Sequence, residues 1–356
     1  RLQLAWTPAE FSRRHGAMGV TLLPVGAGEE SFEGFTLDEF FAGFGAPDRR
    51  PRPPTAAAGA AAPLLKLRDW PQHAGFREVL PEHFEDLMAA LPLRTYTALK
   101  GARNLASYLP PTAVPPDLGP KCYCAYGELD GVGAGGAVAR GTTPIHLDMS
   151  DAVNVLVYVE GAAGDAAAAE AVVSGRRVGP SDGAVWHIFS QAESRALPAA
   201  VAKLVGPSGK RPAAVQRVGA EVGSMLFDAS IYLDDELLEL LAQQAGLVPF
   251  VVVQAVGDAV VVPAGCAHQV RNLRSSIKVA ADFVAPEHVE QCLWLTSQIR
   301  DLPAHHHRHV DVLAVRTILF HATCACLCAV DDAKRRDERE RRAAKAAAPA
   351  AAAPAV

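Results

Sequence analysis

Two short segments constrain this chain more than anything else in it: Gly141-Thr142-Thr143-Pro144-Ile145-His146-Leu147-Asp148 and, far downstream, Pro263-Ala264-Gly265-Cys266-Ala267-His268. Side chains on a strand alternate faces with period two, so a His-x-Asp run puts an imidazole and a carboxylate on one side. A second histidine from a distant strand completes a two-histidine, one-carboxylate face. That set holds iron(II) and leaves positions open for oxygen and a co-substrate. His-x-Asp alone is common by chance, so the surrounding sequence has to decide.

With 356 residues the chain is long enough for one large domain or two small ones with a real core. It opens on Arg1 rather than methionine, which reads as a piece of a longer protein. Alanine-rich tracts inflate the hydrophobic share of 50%, yet Leu, Ile, Val and Phe still recur in strand-like runs. A formal charge of −5 leaves no overall nucleic-acid footprint, so direct nucleic-acid contact is unsupported. A mildly acidic surface would attract basic partners of many kinds. No apolar run approaches the roughly 18 residues that suggest a membrane span, and no signal peptide is visible. Seven cysteines without a pairing framework favour a reducing compartment, nuclear or cytosolic.

Residues 1–46 read as the start of a compact unit anchored by Trp6, Phe11, Phe32, Phe35, Phe40, Phe41 and Phe44. A Pro-rich, then Ala/Gly-rich loop follows to residue 63, and an alternating strand runs from Leu64 to Trp70 before Pro71 stops it. Phe84, Leu87 and Met88 mark a short amphipathic helix over 82–91. Strands are predicted at 152–159, 182–189, 250–255, 259–263 and 277–283, and helices from 189 to about 204, at 233–244, at 287–300 and from 310 to about 342. Residues 161–174 read as a disordered Ala/Gly insertion and 206–214 as a polar loop. Many short strands around His-x-Asp and a later histidine predict a mostly β fold with flanking helices, a double-stranded β-helix (jelly roll) of the cupin type.

Beyond the metal motif, a series of ordered blocks resembles the JmjC (Jumonji C) oxygenases, in the branch that demethylates the ninth-residue lysine of the histone H3 tail. The blocks include Leu65-Lys66-Leu67-Arg68-Asp69-Trp70-Pro71, Asn104-Leu105-Ala106-Ser107-Tyr108-Leu109-Pro110 and Asp117-Leu118-Gly119-Pro120-Lys121. Ala125-Tyr126-Gly127, Ser150-Asp151-Ala152-Val153-Asn154-Val155, Trp186-His187-Ile188 and Tyr232-Leu233-Asp234 continue it. Gly257-Asp258-Ala259-Val260, His268-Gln269-Val270, Ile277-Lys278-Val279-Ala280, Asp282-Phe283-Val284 and Pro286-Glu287-His288-Val289 close it. The likeness covers about 1–333. It departs at the Ala/Gly insertions 52–63 and 161–174 and in the Ala/Arg tail, and the cysteine-rich zinc-binding region expected upstream in this branch is absent from the sequence.

The resemblance divides the chain into an N-terminal part of the catalytic region (1–46), a low-complexity loop (47–63) and a JmjC domain over 84–300 with a strand lead-in from 64. A C-terminal helical extension (301–333) and a charged, Ala/Pro-rich disordered tail (334–356) follow. It implies that His146, Asp148 and His268 bind Fe(II) and that 2-oxoglutarate and O2 are co-substrates. An N-methyl carbon would be hydroxylated and lost as formaldehyde. Lys278 would pair with the distal carboxylate of 2-oxoglutarate, the alternative being an edge-strand lysine reaching solvent. Thr143 would donate its hydroxyl to the same carboxylate. Asn154, an even number of residues after His146, would share the barrel-facing side and bond the co-substrate or simply satisfy the core. Tyr126 would line the pocket.

Pro263 and Gly265 read as turn geometry that aims His268. Asp151 reads as a partner of a ligand imidazole or as a strand-start cap, and Asp258 as a turn residue. The His305–His309 cluster reads as a solvated loop, Cys324, Cys326 and Cys328 as helix thiols without zinc spacing, and 334–342 as a solvated helix end. The expectation is an iron(II)/2-oxoglutarate-dependent demethylase of mono- and dimethyl-lysine on the histone H3 tail, a nuclear chromatin and transcription regulator with no membrane association. A catalytically silent chromatin scaffold and a protein hydroxylase are the alternatives. Methylation-state preference, exact target and a homodimeric state stay open at this level.

Overall fold

The computed structural model describes residues 1–24, 31–52, 64–67, 69–72, 74–129, 142–162, 171–205, 222–304, 306 and 308–347. The strands in chain order are β1 (Gly19–Pro24), β2 (Phe32–Thr36), β3 (Leu65–Leu67), β4 (Lys121–Ala125), β5 (Thr142–His146), β6 (Asp151–Val159) and β7 (Ala171–Val173). They continue as β8 (Arg176–Val178), β9 (Asp182–Ile188), β10 (Phe250–Ala255), β11 (Ala259–Val262), β12 (His268–Asn272) and β13 (Ser276–Phe283). Seven strands form one sheet in the order β11-β6-β13-β4-β3-β1-β2, and four form a second in the order β10-β9-β12-β5. Every pairing is antiparallel. This is the double-stranded β-helix, with its functional cavity between the two sheets.

Strands β6 and β13 are buried on both faces, and each face has its own neighbours. Val153 and Val155 on β6, with Ile277, Val279, Ala281 and Phe283 on β13, pack into a core that includes Trp6, Phe11, Leu37, Phe40, Phe44 and Trp70. The alternate residues Ala152, Asn154, Lys278, Ala280 and Asp282 face the cavity. Period-two alternation thus produces apolar runs punctuated by polar residues, and each polar interruption marks the inner wall. On the outer side of the smaller sheet, Leu197 and Val201 of the helix Gln191–Val205 pack with Leu237 and Leu241 of the helix Asp235–Ala245. The latter helix starts where Asp234 accepts the Leu237 amide at 3.0 Å and stops at Gly246, whose φ of 67° suits glycine.

The fold departs from the sequence-based expectations in a few places. The insertion expected to be disordered over 161–174 includes β7, which pairs with β8; residues 163–170 lie outside the described residues. Most of the loop at 52–63 and all of that at 206–214 also lie outside them. The lead-in strand is short: only Leu65–Leu67 is strand, and Trp70 forms an isolated bridge with Cys122. The last helix starts at Val315, later than expected, after a turn in which Asp311 accepts the Ala314 amide at 3.0 Å. It carries the charged run as expected but continues past 342 to Ala347, into the tail expected to be disordered, because Ala, Arg, Lys and Glu are strong helix formers and Asp337 pairs with Arg341 one turn on.

Candidate metal centre

His146 ends β5 and His268 begins β12, and the antiparallel register places them directly opposite each other, with ring centroids 4.2 Å apart. The sharp turn before His268, where the Cys266 amide donates to the Pro263 carbonyl, needs Gly265 at a φ of 81°. Each imidazole has its Nδ1 against a backbone carbonyl: His146 on Pro144 O at 2.8 Å, His268 on Cys266 O at 3.1 Å. A carbonyl only accepts, so each Nδ1 carries the proton and each Nε2 presents a lone pair. Those bare Nε2 atoms stand 3.7 Å and 3.5 Å from the two Asp148 carboxylate oxygens.

Three acceptors within 4.8 Å of one another, with no proton between them, form an arrangement that a divalent cation stabilises. Burial and the neighbouring His268 hold the His146 imidazole well below its usual range, in the neutral form that ligates. At Asp148 burial opposes the charge, but His268, His146 and Arg308 prevail and keep the carboxyl below its ordinary range. The residues present fit an iron(II) ion.

A cavity of about 190 Å³ opens from this face and is lined by Thr143, Asn154, Trp186, Asn272, Lys278 and Asp282 among others. Thr143 and His146 are an odd number of residues apart, yet both face inward. The ladder shows why: His268 pairs with His146 and Val270 with Thr143, so β5 carries one extra residue, a bulge. Lys278 is buried, and burial draws its ammonium down to about 8. It donates to the Asn272 side-chain oxygen and, at 3.4 Å, to Ser276 Oγ. Asn154 is 8% exposed and its Oδ1 has no hydrogen-bond partner among the described residues. A buried ammonium on this wall fits a small acid bearing a carboxylate.

Tyr126 is not brought to this cavity. It lies in the outer core, fully buried, stacked on Phe40 at 4.8 Å and donating its hydroxyl to the Phe40 carbonyl at 2.7 Å. It follows β4 at the point where the sheet meets the N-terminal layer, so its face is the outer one. Asp151 is neither a ligand's partner nor a cap: its carboxylate accepts the amides of Ala264 and Ala285, each at 2.9 Å, and sits against His288 Nδ1 at 2.5 Å. Asp258 is the turn residue expected, accepting the Ala255 amide at 3.0 Å.

Several supporting residues carry little sequence signal. Trp186 lies parallel to the His268 ring at 5.9 Å and donates to Gln254 at 2.8 Å; Gln254 in turn donates to the Asn154 carbonyl at 3.0 Å. Arg308 donates to the Leu147 carbonyl at 3.1 Å, between the first two ligands. The described members of the histidine cluster are docked rather than solvated: His306 meets Asp228, and His309 donates from Nδ1 to the Leu302 carbonyl at 2.9 Å. His305 and His307 lie outside the described residues, as does Gly141. Cys324, Cys326 and Cys328 are exposed on the last helix.

Fold and site together define a jelly-roll protein with a facial two-histidine, one-carboxylate centre beside a cavity for a small acid, the architecture of mononuclear non-haem oxygenases. The chain belongs to the JmjC family, as its sequence blocks implied: residues 226–283, which include His268 and Lys278, match the model described as "JmjC domain, hydroxylase". Over 332 residues, 89% of the chain, it is 38% identical to Lysine-specific demethylase 3A of Homo sapiens. It is 40% identical over 287 residues (74% of the chain) to Lysine-specific demethylase 3 of Drosophila melanogaster. Lysine-specific demethylase JMJ26 of Arabidopsis thaliana is 35% identical over 297 residues, 75% of the chain. The alignments span 24%, 31% and 33% of these relatives' lengths, respectively.

Proposed function

We propose that this chain is the catalytic part of an iron(II)- and 2-oxoglutarate-dependent demethylase of mono- and dimethyl-lysine, with the ninth-residue lysine of the histone H3 tail as substrate. The observation that carries the reading is the alignment of two proton-free imidazole nitrogens and a carboxylate at one end of a cavity that has a buried ammonium on its wall. His146, Asp148 and His268 would hold iron(II). Lys278 would pair with the distal carboxylate of 2-oxoglutarate, with the Thr143 hydroxyl and the Asn154 side chain completing its seat. Bound there, iron(II) with 2-oxoglutarate and O2 would supply the oxidising chemistry for hydroxylating an N-methyl carbon.

The chain's own residues do the rest. The Pro144 and Cys266 carbonyls fix both ligand tautomers, and Arg308 steadies the backbone between His146 and Asp148. Trp186 and Val270 wall the cavity beside His268 and keep bulk water from the reacting carbon. The names of the relatives support lysine demethylation as the activity. A nuclear place, chromatin as partner and a role in transcription follow from that substrate and are part of the same proposal.

Mass spectrometry of a dimethylated H3 tail peptide, incubated with the chain, iron(II), ascorbate and 2-oxoglutarate, tests it, with His146→Ala as control. Stepwise loss of one methylene mass per methyl at the ninth-residue lysine, absent in the control, is the expected result. Gain of one oxygen mass would make the chain a hydroxylase. Absence of metal and 2-oxoglutarate binding would make it a scaffold.

A further inference from the structure

The net charge of −5 averages over a chain whose last helix is charged differently. That helix, Val315–Ala347, is held to the barrel by its first two turns, where Val315 and Ile318 pack with Leu118, Val284 and Cys292. From Cys326 to Ala346 every residue is exposed, so about 30 Å of helix runs clear of the fold. Residues 334–347 hold seven Lys or Arg against three Asp or Glu, a local charge of +4. These cations are sorted by face. At 3.6 residues per turn Arg335, Arg339 and Arg342 lie within about 60° of one another, with Arg336 flanking them and Asp337 and Glu340 on the far side. Arg341 pairs with Asp337 at 3.0 Å. Arg335, Arg336, Arg339 and Arg342 have no hydrogen bond or ion pair among the described residues, and Glu338 at the margin of the stripe bonds none of them.

We propose that this arginine stripe docks the chain on double-stranded DNA through the backbone phosphates, a contact that needs neither iron nor 2-oxoglutarate. Its three guanidinium groups cover about 10 Å of helix axis, the rise of about three base pairs, so each meets a different phosphate. Guanidinium forks bond phosphate oxygens in pairs, and four of the exposed, unpaired cations here are arginines. Other anionic partners fit less well. From Asp331 to Ala347 the apolar residues are alanines alone, so nothing anchors the helix in a bilayer or in an apolar groove of a protein. Single-stranded nucleic acid is gripped by aromatic stacking, and the nearest aromatic on this helix, Phe320, lies four turns before Arg335. The segment has no Asn, Gln, Ser or Thr to read base edges, so the contact is independent of sequence.

The test is fluorescence anisotropy of a labelled duplex of arbitrary sequence, titrated with the full chain at increasing salt. Wild-type affinity should fall roughly 40- to 150-fold between 50 and 200 mM salt, as expected for three or four neutralised phosphates. Arg335→Gln, Arg339→Gln and Arg342→Gln together should weaken binding about tenfold or more at the lower salt and remove most of that dependence, with helix content by circular dichroism unchanged. Arg335→Lys, Arg339→Lys and Arg342→Lys together should restore most of the affinity. The matched set Lys334→Gln, Arg341→Gln and Lys345→Gln removes equal charge from another face and should keep affinity within about threefold. Equal losses in the two glutamine sets, or a duplex that wild type does not bind, overturn the inference. So does single-stranded RNA, an acidic peptide or an anionic vesicle bound as tightly as the duplex. Each of these outcomes leaves the demethylase reading standing, which peptide turnover tests separately.

Discussion

Lys278 shows how a single residue's environment sets a measurable property. A lysine inside an apolar strand demands a partner, and the sequence signals that much. Its burial and the pKa of about 8 turn the demand into a pH dependence. Below 8 the free site holds an ammonium and binds the 2-oxoglutarate carboxylate fully; above 8 the free site loses its proton, and affinity should fall by up to about tenfold per pH unit. Binding isotherms from pH 6 to 10 check this, and Lys278→Met should abolish both the affinity and its pH slope. The three metal ligands were legible because metal chemistry restricts residue types and spacing. Asn272 and Asp282 were not, since only the register says which polar residues of β12 and β13 face inward. Tyr126 was misplaced for the same reason: an aromatic at a strand end gives no sign of its face. Tyr126→Phe removes one buried hydrogen bond, so it should cost about 1 kcal/mol in denaturant unfolding and leave 2-oxoglutarate affinity unchanged.

Elements that frame the centre are held by contacts distant in sequence. The segment before His268 is tethered by Asp151, which ties Ala264 to Ala285 and so links the approach to β12 with the exit from β13. Asp151→Ala leaves two buried amides without acceptors and should destabilise the fold by about 2–4 kcal/mol, read by denaturant unfolding. The segment between His146 and Asp148 is held by Arg308, from a loop beyond the barrel. Arg308→Ala should weaken metal binding by about tenfold or more with little change in melting temperature, read by competition with a chelator. Neither strap was legible: Asp151 reads equally as a ligand imidazole's partner or a strand-start cap, and the loop around Arg308 reads as solvated. Strand and helix positions were legible from β-branched runs and 3.6-residue spacing, but the β5 bulge was not, because one extra residue leaves the apolar pattern almost unchanged.

Across the whole molecule, the sheet containing β6 and β13 is a wall between an apolar core and the cavity. The N-terminal aromatic layer covers its outer face, and its inner face lines the cavity opposite the metal ligands His146 and His268 of the smaller sheet. The aromatic richness of residues 1–46 announced a compact unit, and the structure makes it the outer support of the strands that carry Asn154 and Lys278. The sequence also suggested the jelly roll, since short strands around His-x-Asp and a later histidine have few other ways to converge. It announced the charged run as a helix end near 342, but not the continuation to Ala347, where helix propensity overrides low complexity. On the proposed function, one face made of His146, Asp148 and His268 binds the iron and Lys278 anchors the 2-oxoglutarate beside it. Anaerobic titration of iron(II) into the chain with 2-oxoglutarate present, followed by charge-transfer absorption, tests it most directly. Wild type should bind one iron per chain, His268→Ala should show no absorption band, and Lys278→Met should show a band that needs far more 2-oxoglutarate. An undiminished band in His268→Ala would contradict it.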